Sequence, residues 1–313
     1  MRRLLVDTDT AADDPVAMVM ALRHPGVRVE AITVVAGNVP VDQGVQNALY
    51  TLELLEERIP VFRGAEAPLL APLETSQFIH GEDGMGDLGL PLHGREPHPG
   101  HAVEALLETA GRYPGEVELV TLGPLTNVAM ALHRDPSLTG KVKGCVMMCG
   151  ASDHLGNITP VAEYNVWVDP EAAKVVFSSG MPLKMVGLDL SRKHASFTSD
   201  EAAELRGVGT PLAEFCVDIQ RVPDARGGED VAVLGGFELA DPIAMAVALD
   251  PAVATRVERR FVAVETGGEW CRGQTVVDHP ETTIAGGYEP NVDVVEEASR
   301  GRFLHMLYEA VRA

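Results

Sequence analysis

The chain is short of basic residues. Lys and Arg number 25 against 46 Asp and Glu in 313 residues, for a formal charge of −21. That balance excludes nucleic acid or an anionic membrane as partner, since both would be repelled. It leaves a small neutral ligand open. Cysteine is scarce too: the four, at positions 145, 149, 216 and 271, form no CxxC pair. That makes buried thiols in a reducing compartment the expectation. No apolar run approaches the ~20 residues that a membrane span needs. The apolar run after Arg2 and Arg3 lasts only from Leu4 to Val6, which is too short for a signal peptide. A cytoplasmic location is expected. No Pro- or Ser-rich linker and no internal repeat divides the sequence, so one domain spanning 1–313 is expected.

What is abundant is acid in one place. Residues 4–17 read LLVDTDTAADDPVA, with Asp7, Asp9, Asp13 and Asp14 within eight residues. An apolar run enters this stretch and a helical apolar pattern (Val16, Ala17, Met20, Ala21) leaves it, which predicts a buried strand, a tight loop and a helix. Alternation along a strand points Asp7 and Asp9 the same way. Pro15 suits a first helical position. Four crowded carboxylates repel one another, and a helix N-terminus offsets only ~0.3–1 kcal/mol per anion. A hard cation such as Ca²⁺ explains the crowding, because it takes several oxygen ligands at once. A capped helix with solvated acids is the plainer explanation. A phosphatase of the haloacid dehalogenase type is another, but Ala11 stands where that family has Thr or Val.

The rest alternates β and α up to residue 190. Strands are predicted at 27–37, 59–62, 117–122, 142–148 and 182–190, and helices at 41–57, 101–113, 128–132 and 169–177. This pattern predicts an α/β fold: an open, mostly parallel, Rossmann-like sheet with helices on both faces. Residues 64–98 are irregular and rich in Gly, Pro and His, as functional loops often are. Farther on, 199–220 read as helical and 221–237 as a charged loop. Asp241 and Pro242 then open a helix through 249. Residues 260–266 and 274–277 flank Gly267 and Gly268 as a C-terminal hairpin elaboration. A last strand at 291–295 and a helix at 299–311 follow.

Taken in order, the acidic corner, Val35-Ala36-Gly37-Asn38, Gly123-Pro124-Leu125-Thr126-Asn127, Ala162-Glu163-Tyr164-Asn165 and Ala240-Asp241-Pro242 resemble the inosine-uridine-preferring nucleoside hydrolases. The resemblance runs from the first strand to the last helix. It implies Ca²⁺-dependent hydrolysis of the N-glycosidic bond of purine or pyrimidine ribonucleosides, in a homodimer or homotetramer. It assigns the metal to Asp9, Asp14, the main-chain carbonyl of Leu122, and Asp241. It assigns the substrate to Asp13, Asn38, Asn157, Glu163 and Asn165, with Met148 nearby and His80 close to the base. Carboxylates and amides are apt partners for vicinal hydroxyls, which both donate and accept. Asp9 is the expected general base toward the attacking water, in a reaction whose transition state resembles an oxocarbenium ion.

Two departures from the family pattern carry consequences. Thr10-Ala11 stands where the family has Pro-Gly, which restricts the turn. Ala240 stands where many members have a His that protonates the departing base. His80 and His154 are the candidate replacements, and Arg221 or Arg226 could stabilise an anionic base. The missing His also leaves two other readings: hydrolysis of another N-riboside, such as nicotinamide riboside, or a non-catalytic binder of ribose or nucleoside.

Overall fold

The computed structural model describes residues 1–153, 155–221, 236–279 and 287–312. The first apolar run becomes β1 (Arg2–Thr8), whose last five residues are buried. It lies inside the sheet, where a strand covered on both faces carries an apolar run, here Leu4–Val6. β2 (Val27–Val34), β3 (Val61–Arg63), β4 (Val117–Thr121), β5 (Val142–Met148) and β6 (Leu183–Val186) follow, each after a helical crossover or an irregular one. A two-residue pair, β7 (Ser196–Phe197) with β8 (Phe237–Glu238), stands apart. β9 (Ala254–Arg260) and β12 (Val292–Ala298) finish the large sheet, and β10 (Val262–Val264) pairs with β11 (Thr275–Val277) as the expected hairpin.

The large sheet runs β3-β2-β1-β4-β5-β6-β12-β9. Every pairing in it is parallel except that of β12 with β9. The strand order reverses between β1 and β4. A crevice opens at such a reversal, outside the carboxyl ends of the strands, and ligands bind there in open α/β sheets. Helices cover both faces. Asp14–Arg23, Val41–Leu54 and Ala240–Leu249 contribute to the core on one side; Ala102–Arg112, Thr126–Arg134 and Pro170–Phe177 contribute to the other. Burying a Val, Leu or Met side chain of these cores stabilises the fold by roughly 1.5–3 kcal/mol. The helices Asp14–Arg23 and Ala240–Leu249 pack on each other, which brings the two acidic helix starts together.

Three elements differ from the sequence reading. The predicted strand 182–190 stops at Val186, and Leu188–His194 is a helix. Gly187 turns the chain there, and Asp189 accepts hydrogen bonds from Ser152 N and Oγ, both at 2.7 Å. A short helix, Tyr164–Val168, forms where a loop through 165 was expected, because Glu163 caps its N-terminus. The edge strand β9 is a third, its side chains mostly exposed. Such a strand lacks the apolar run that betrays a central one. Cys145, Cys149 and Cys216 are buried free thiols as expected, while free Cys271 is only half-buried. Among the described residues, no helix is long and apolar enough to cross a membrane.

Candidate active site

Asp9 follows the last residue of β1 and is wholly buried. Asn38 N donates to its Oδ2 at 2.6 Å. Room for that carboxylate depends on Gly37, since a Cβ there would lie 2.1 Å from Asp9 Oδ2. The other oxygen, Oδ1, is buried with no hydrogen-bond partner. Asp7 does not join the site. Its Oδ1 accepts from Thr33 Oγ1 at 2.5 Å and Asn127 Nδ2 at 2.8 Å, which ties β1 to β2 and to the helix after β4. One residue of the acidic cluster is therefore a structural anchor.

Beyond Asp9 the chain turns sharply. Thr10 (φ 47°) and Ala12 (φ 49°) both adopt the left-handed region, on either side of the Ala11 where lost glycine freedom was expected to matter. Such residues cost on the order of 1–3 kcal/mol each and persist only where their surroundings hold them. Here they do. Asn47 Nδ2 donates to Thr10 O at 2.8 Å, Ala12 N to Gly84 O at 2.8 Å, and Gln220 Nε2 to Ala12 O at 3.1 Å. Asn47 and Gln220 were not singled out in the sequence. Their types gave no signal, since Gln43 and Gln46 share the helix of Asn47 and Gln220 follows the end of the helix Pro211–Asp218.

The helix after the turn starts with Asp14, which is 1% exposed. Its carboxylate accepts from Thr8 Oγ1, and from Ala11 N at 3.2 Å. Asp13 Oδ2 accepts from Asp241 N at 2.9 Å, so the first loop is bonded to the start of the helix Ala240–Leu249. Burial raises the carboxyl pKa of Asp9 to about 6 and that of Asp13 to about 7. Burial and the neighbouring carboxylates lift Asp14 and Asp241 well above the usual range.

A cavity of about 310 Å³ opens at this corner. Its lining includes Asp13, Asn38, His80, Leu122, Met148, Asn157, Glu163, Asn165 and Asp241. Of the residues expected at the site, only Asp9 and Asp14 are missing from the lining, and their charges still act on Asp241. Glu163 is 3% exposed, and its carboxylate accepts from the backbone amides of Asn165 (2.8 Å), Gly150 (2.8 Å) and Val166 (3.2 Å). Burial still raises its pKa to about 7. Asn165 Nδ2 donates to Leu122 O at 2.8 Å and Met148 O at 3.1 Å. It fastens together the ends of β4 and β5. Asn157 Oδ1 accepts from Tyr164 N at 2.9 Å.

His80 ends a short helix, Gln77–His80, inside the irregular segment and lines the cavity. Burial lowers its pKa to about 4, so it is neutral at pH 7. Ser76, at 2% exposure, also lines the cavity and donates to Asn38 Oδ1. The sequence reading passed over it because one Ser in a polar loop gives no signal. Ala240 faces the cavity and Arg221 does not line it. His154 and Arg226 lie outside the described residues. Among the described residues, no three His, Cys, Asp or Glu side chains form a ready-made metal-ligand group.

A site of carboxylates and amides at a sheet switch point, beside an apolar wall, suits a sugar carrying a flat base. The chain belongs to the family described as inosine-uridine preferring nucleoside hydrolase, which matches residues 4–305. It is a ribonucleoside hydrolase, an enzyme that cleaves an N-glycosyl bond with water. Proteins named pyrimidine-specific ribonucleoside hydrolase RihA, from Salmonella schwarzengrund and Salmonella agona, are each 37% identical over 310 residues. Those matches cover 99% of this chain and 98% of the relative. Among solved structures, the plant nucleoside hydrolase PpNRh1 superposes with a TM-score of 0.89 at 30% identity, covering 100% of this chain and 99% of that one. A purine-preferring ribonucleoside hydrolase from Gardnerella vaginalis gives 0.86 at 31%, with coverage of 99% and 98%.

Proposed function

We propose that the protein hydrolyses pyrimidine ribonucleosides to ribose and free base, with Ca²⁺ held among the acidic groups. The observation that carries this reading is the single cavity onto which Asp13, Asn38, Glu163, Asn165 and Asp241 converge beside an apolar set of Ile79, Ile158, Leu188 and Phe237. The polar group suits ribose hydroxyls and the apolar group suits the face of a base. The names of the Salmonella relatives favour a pyrimidine.

The residues present fit a hard cation. Asp9, Asp14, Asp241 and the Leu122 carbonyl would hold it, all through oxygen, and Asp9 Oδ1 is buried and unpartnered. When bound, such an ion lowers the pKa of a water molecule it holds. Asp9 takes the proton of the attacking water. Asp13, Asn38, Asn157, Glu163 and Asn165 hold the ribose hydroxyls, and Met148 lies beside the sugar. Neutral His80 offers a hydrogen bond to the base. Ribose release from uridine, cytidine, inosine and nicotinamide riboside tests the reading. Fast release from uridine and cytidine supports it, and no release from any of them in the presence of Ca²⁺ makes the protein a binder.

Chelation is expected to abolish turnover, and Ca²⁺ to restore it. At a Ca²⁺ concentration a hundredfold above its Kd, the folded state gains about 2.7 kcal/mol, which thermal melting reads as a rise of several degrees. Purified enzyme with Zn²⁺ at full occupancy and no Ca²⁺ would overturn the assignment.

The ribose contacts make a separate prediction. Removing the 2′-hydroxyl leaves a buried acceptor unpaired, at about 1–3 kcal/mol. 2′-Deoxyuridine should therefore fall below uridine in kcat/KM by roughly 5- to 150-fold. Asp13→Ala should narrow that gap while lowering both values. Equal efficiency of the wild type on the two nucleosides would remove the pocket assignment.

A further inference from the structure

We propose that Glu238 is a catalytic residue that protonates the departing base; the proposal rests on the hydrolase reading above. A pyrimidine leaves its sugar as an anion unless a proton reaches it, and Ala240 has none to give. The described groups lining the cavity that can carry a titratable proton are Asp13, His80, Glu163, Tyr164, Glu238 and Asp241. Asp13 is bonded to Asp241 N, and both belong to the acidic corner. Glu163 is engaged by three backbone amides. Tyr164 donates its hydroxyl to Glu74 O at 2.9 Å. His80 ends the short helix Gln77–His80, where desolvation disfavours the imidazolium that would give up a proton. Glu238 is what remains.

Its place in the fold suits the role. Glu238 sits on β8, opposite Ser196 of β7. The preceding Phe237 lies face to face with Phe197, their rings 5.3 Å apart and 13° from parallel, and it lines the same cavity. The following Leu239 donates its backbone N–H to Ala195 O at 3.0 Å. The backbone of Glu238 is thus fixed on both sides, while its side chain stays accessible to a ligand. Ser191 Oγ lies 3.5 Å from its Oε2 and gives its own proton to Leu188 O at 2.8 Å. Among the described residues the cation that acts on it is Arg192, which donates to Leu155 O at 3.0 Å and Gly156 O at 2.7 Å. Partial burial raises the Glu238 pKa despite Arg192 and Ser191, which favours the protonated form a donor needs. A bound base would cover the carboxyl further and act in the same direction.

The step balances. The bond from C1′ to the base nitrogen breaks, and its electron pair stays with the base. The Glu238 carboxyl proton moves to the base. The water oxygen bonds to C1′ and its proton goes to Asp9. Exchange with solvent then moves a proton from Asp9 back to Glu238, and the enzyme is restored.

The test compares two substrates, uridine and p-nitrophenyl riboside, whose leaving group departs without a proton. Glu238→Gln should lower kcat on uridine by roughly 10²–10⁴-fold and leave the nitrophenyl substrate within a few-fold of wild type. It should also erase the alkaline limb of the uridine pH profile. Glu238→Asp keeps an acid and should recover part of the uridine rate, which guards against a folding defect in the Gln variant. Equal losses on both substrates would make Glu238 structural, and no loss on either would dismiss it; both overturn the proposal. A selective uridine loss in His80→Ala but not in Glu238→Gln would assign the donor to His80 instead. If wild type with Ca²⁺ releases ribose from no nucleoside, the hydrolase reading fails and takes this proposal with it.

Discussion

Asp9→Asn is expected to lower kcat on uridine by roughly 10²–10⁴-fold, the usual worth of a positioned general base. The amide is nearly the same size as the carboxylate, and its oxygen can still accept the Asn38 N–H that Asp9 Oδ2 accepts at 2.6 Å. The corner should therefore keep its shape while losing the group proposed to take the proton. KM should change little beside kcat, because that proton moves only in the chemical step. Asp9 is also proposed to hold the cation, so Ca²⁺ content must be measured in the variant. Near-normal turnover with Ca²⁺ bound would show that another group activates the water.

Gly37→Ala should be nearly as damaging, although Gly37 does not line the cavity. The added methyl would sit 2.1 Å from Asp9 Oδ2 and 2.8 Å from Pro124 Cδ. Both are far inside van der Waals contact, so something must move. Asp9 is the freer of the two, because its Oδ1 has no hydrogen-bond partner. A displacement of about 1 Å at a catalytic group costs on the order of 10²-fold in rate. Overpacking adds ~1–3 kcal/mol of instability. Steady-state kinetics and thermal melting on one preparation separate the two effects. A variant with wild-type kcat and an unchanged melting temperature would mean that the corner yields elsewhere, and that the position of Asp9 is not set by residue 37.

The parallel core was legible because central strands must be apolar on both faces. β1 announces itself by Leu4–Val6 and β5 by the run that starts at Cys145. The strand β9 was not legible, because it lies at the sheet edge with exposed, charged side chains. The helix Leu188–His194 was hidden by an apolar run continuing through Gly187, where sequence period alone does not separate a strand from a helix start. At the site, clustered motifs led to the residues that line the cavity. The supports did not show. Asn47, Ser76 and Gln220 act from distant positions through a few side-chain hydrogen bonds, and no local pattern reports such a partner. Asp7 was misleading for a related reason. Its neighbours Thr33 and Asn127, which make it an anchor, are 26 and 120 residues away.

The bond from Asp241 N to Asp13 Oδ2 joins positions 228 residues apart. Contacts of that separation form late, because the chain between them must be ordered first. During synthesis the N-terminal strands and their acidic corner leave the ribosome well before the helix that completes the site exists. For that interval the nascent chain holds Asp9, Asp13 and Asp14 without Asp241. A chain released before position 241 would thus carry the acidic corner without the bond from Asp241 N and without the helix start that lines the cavity.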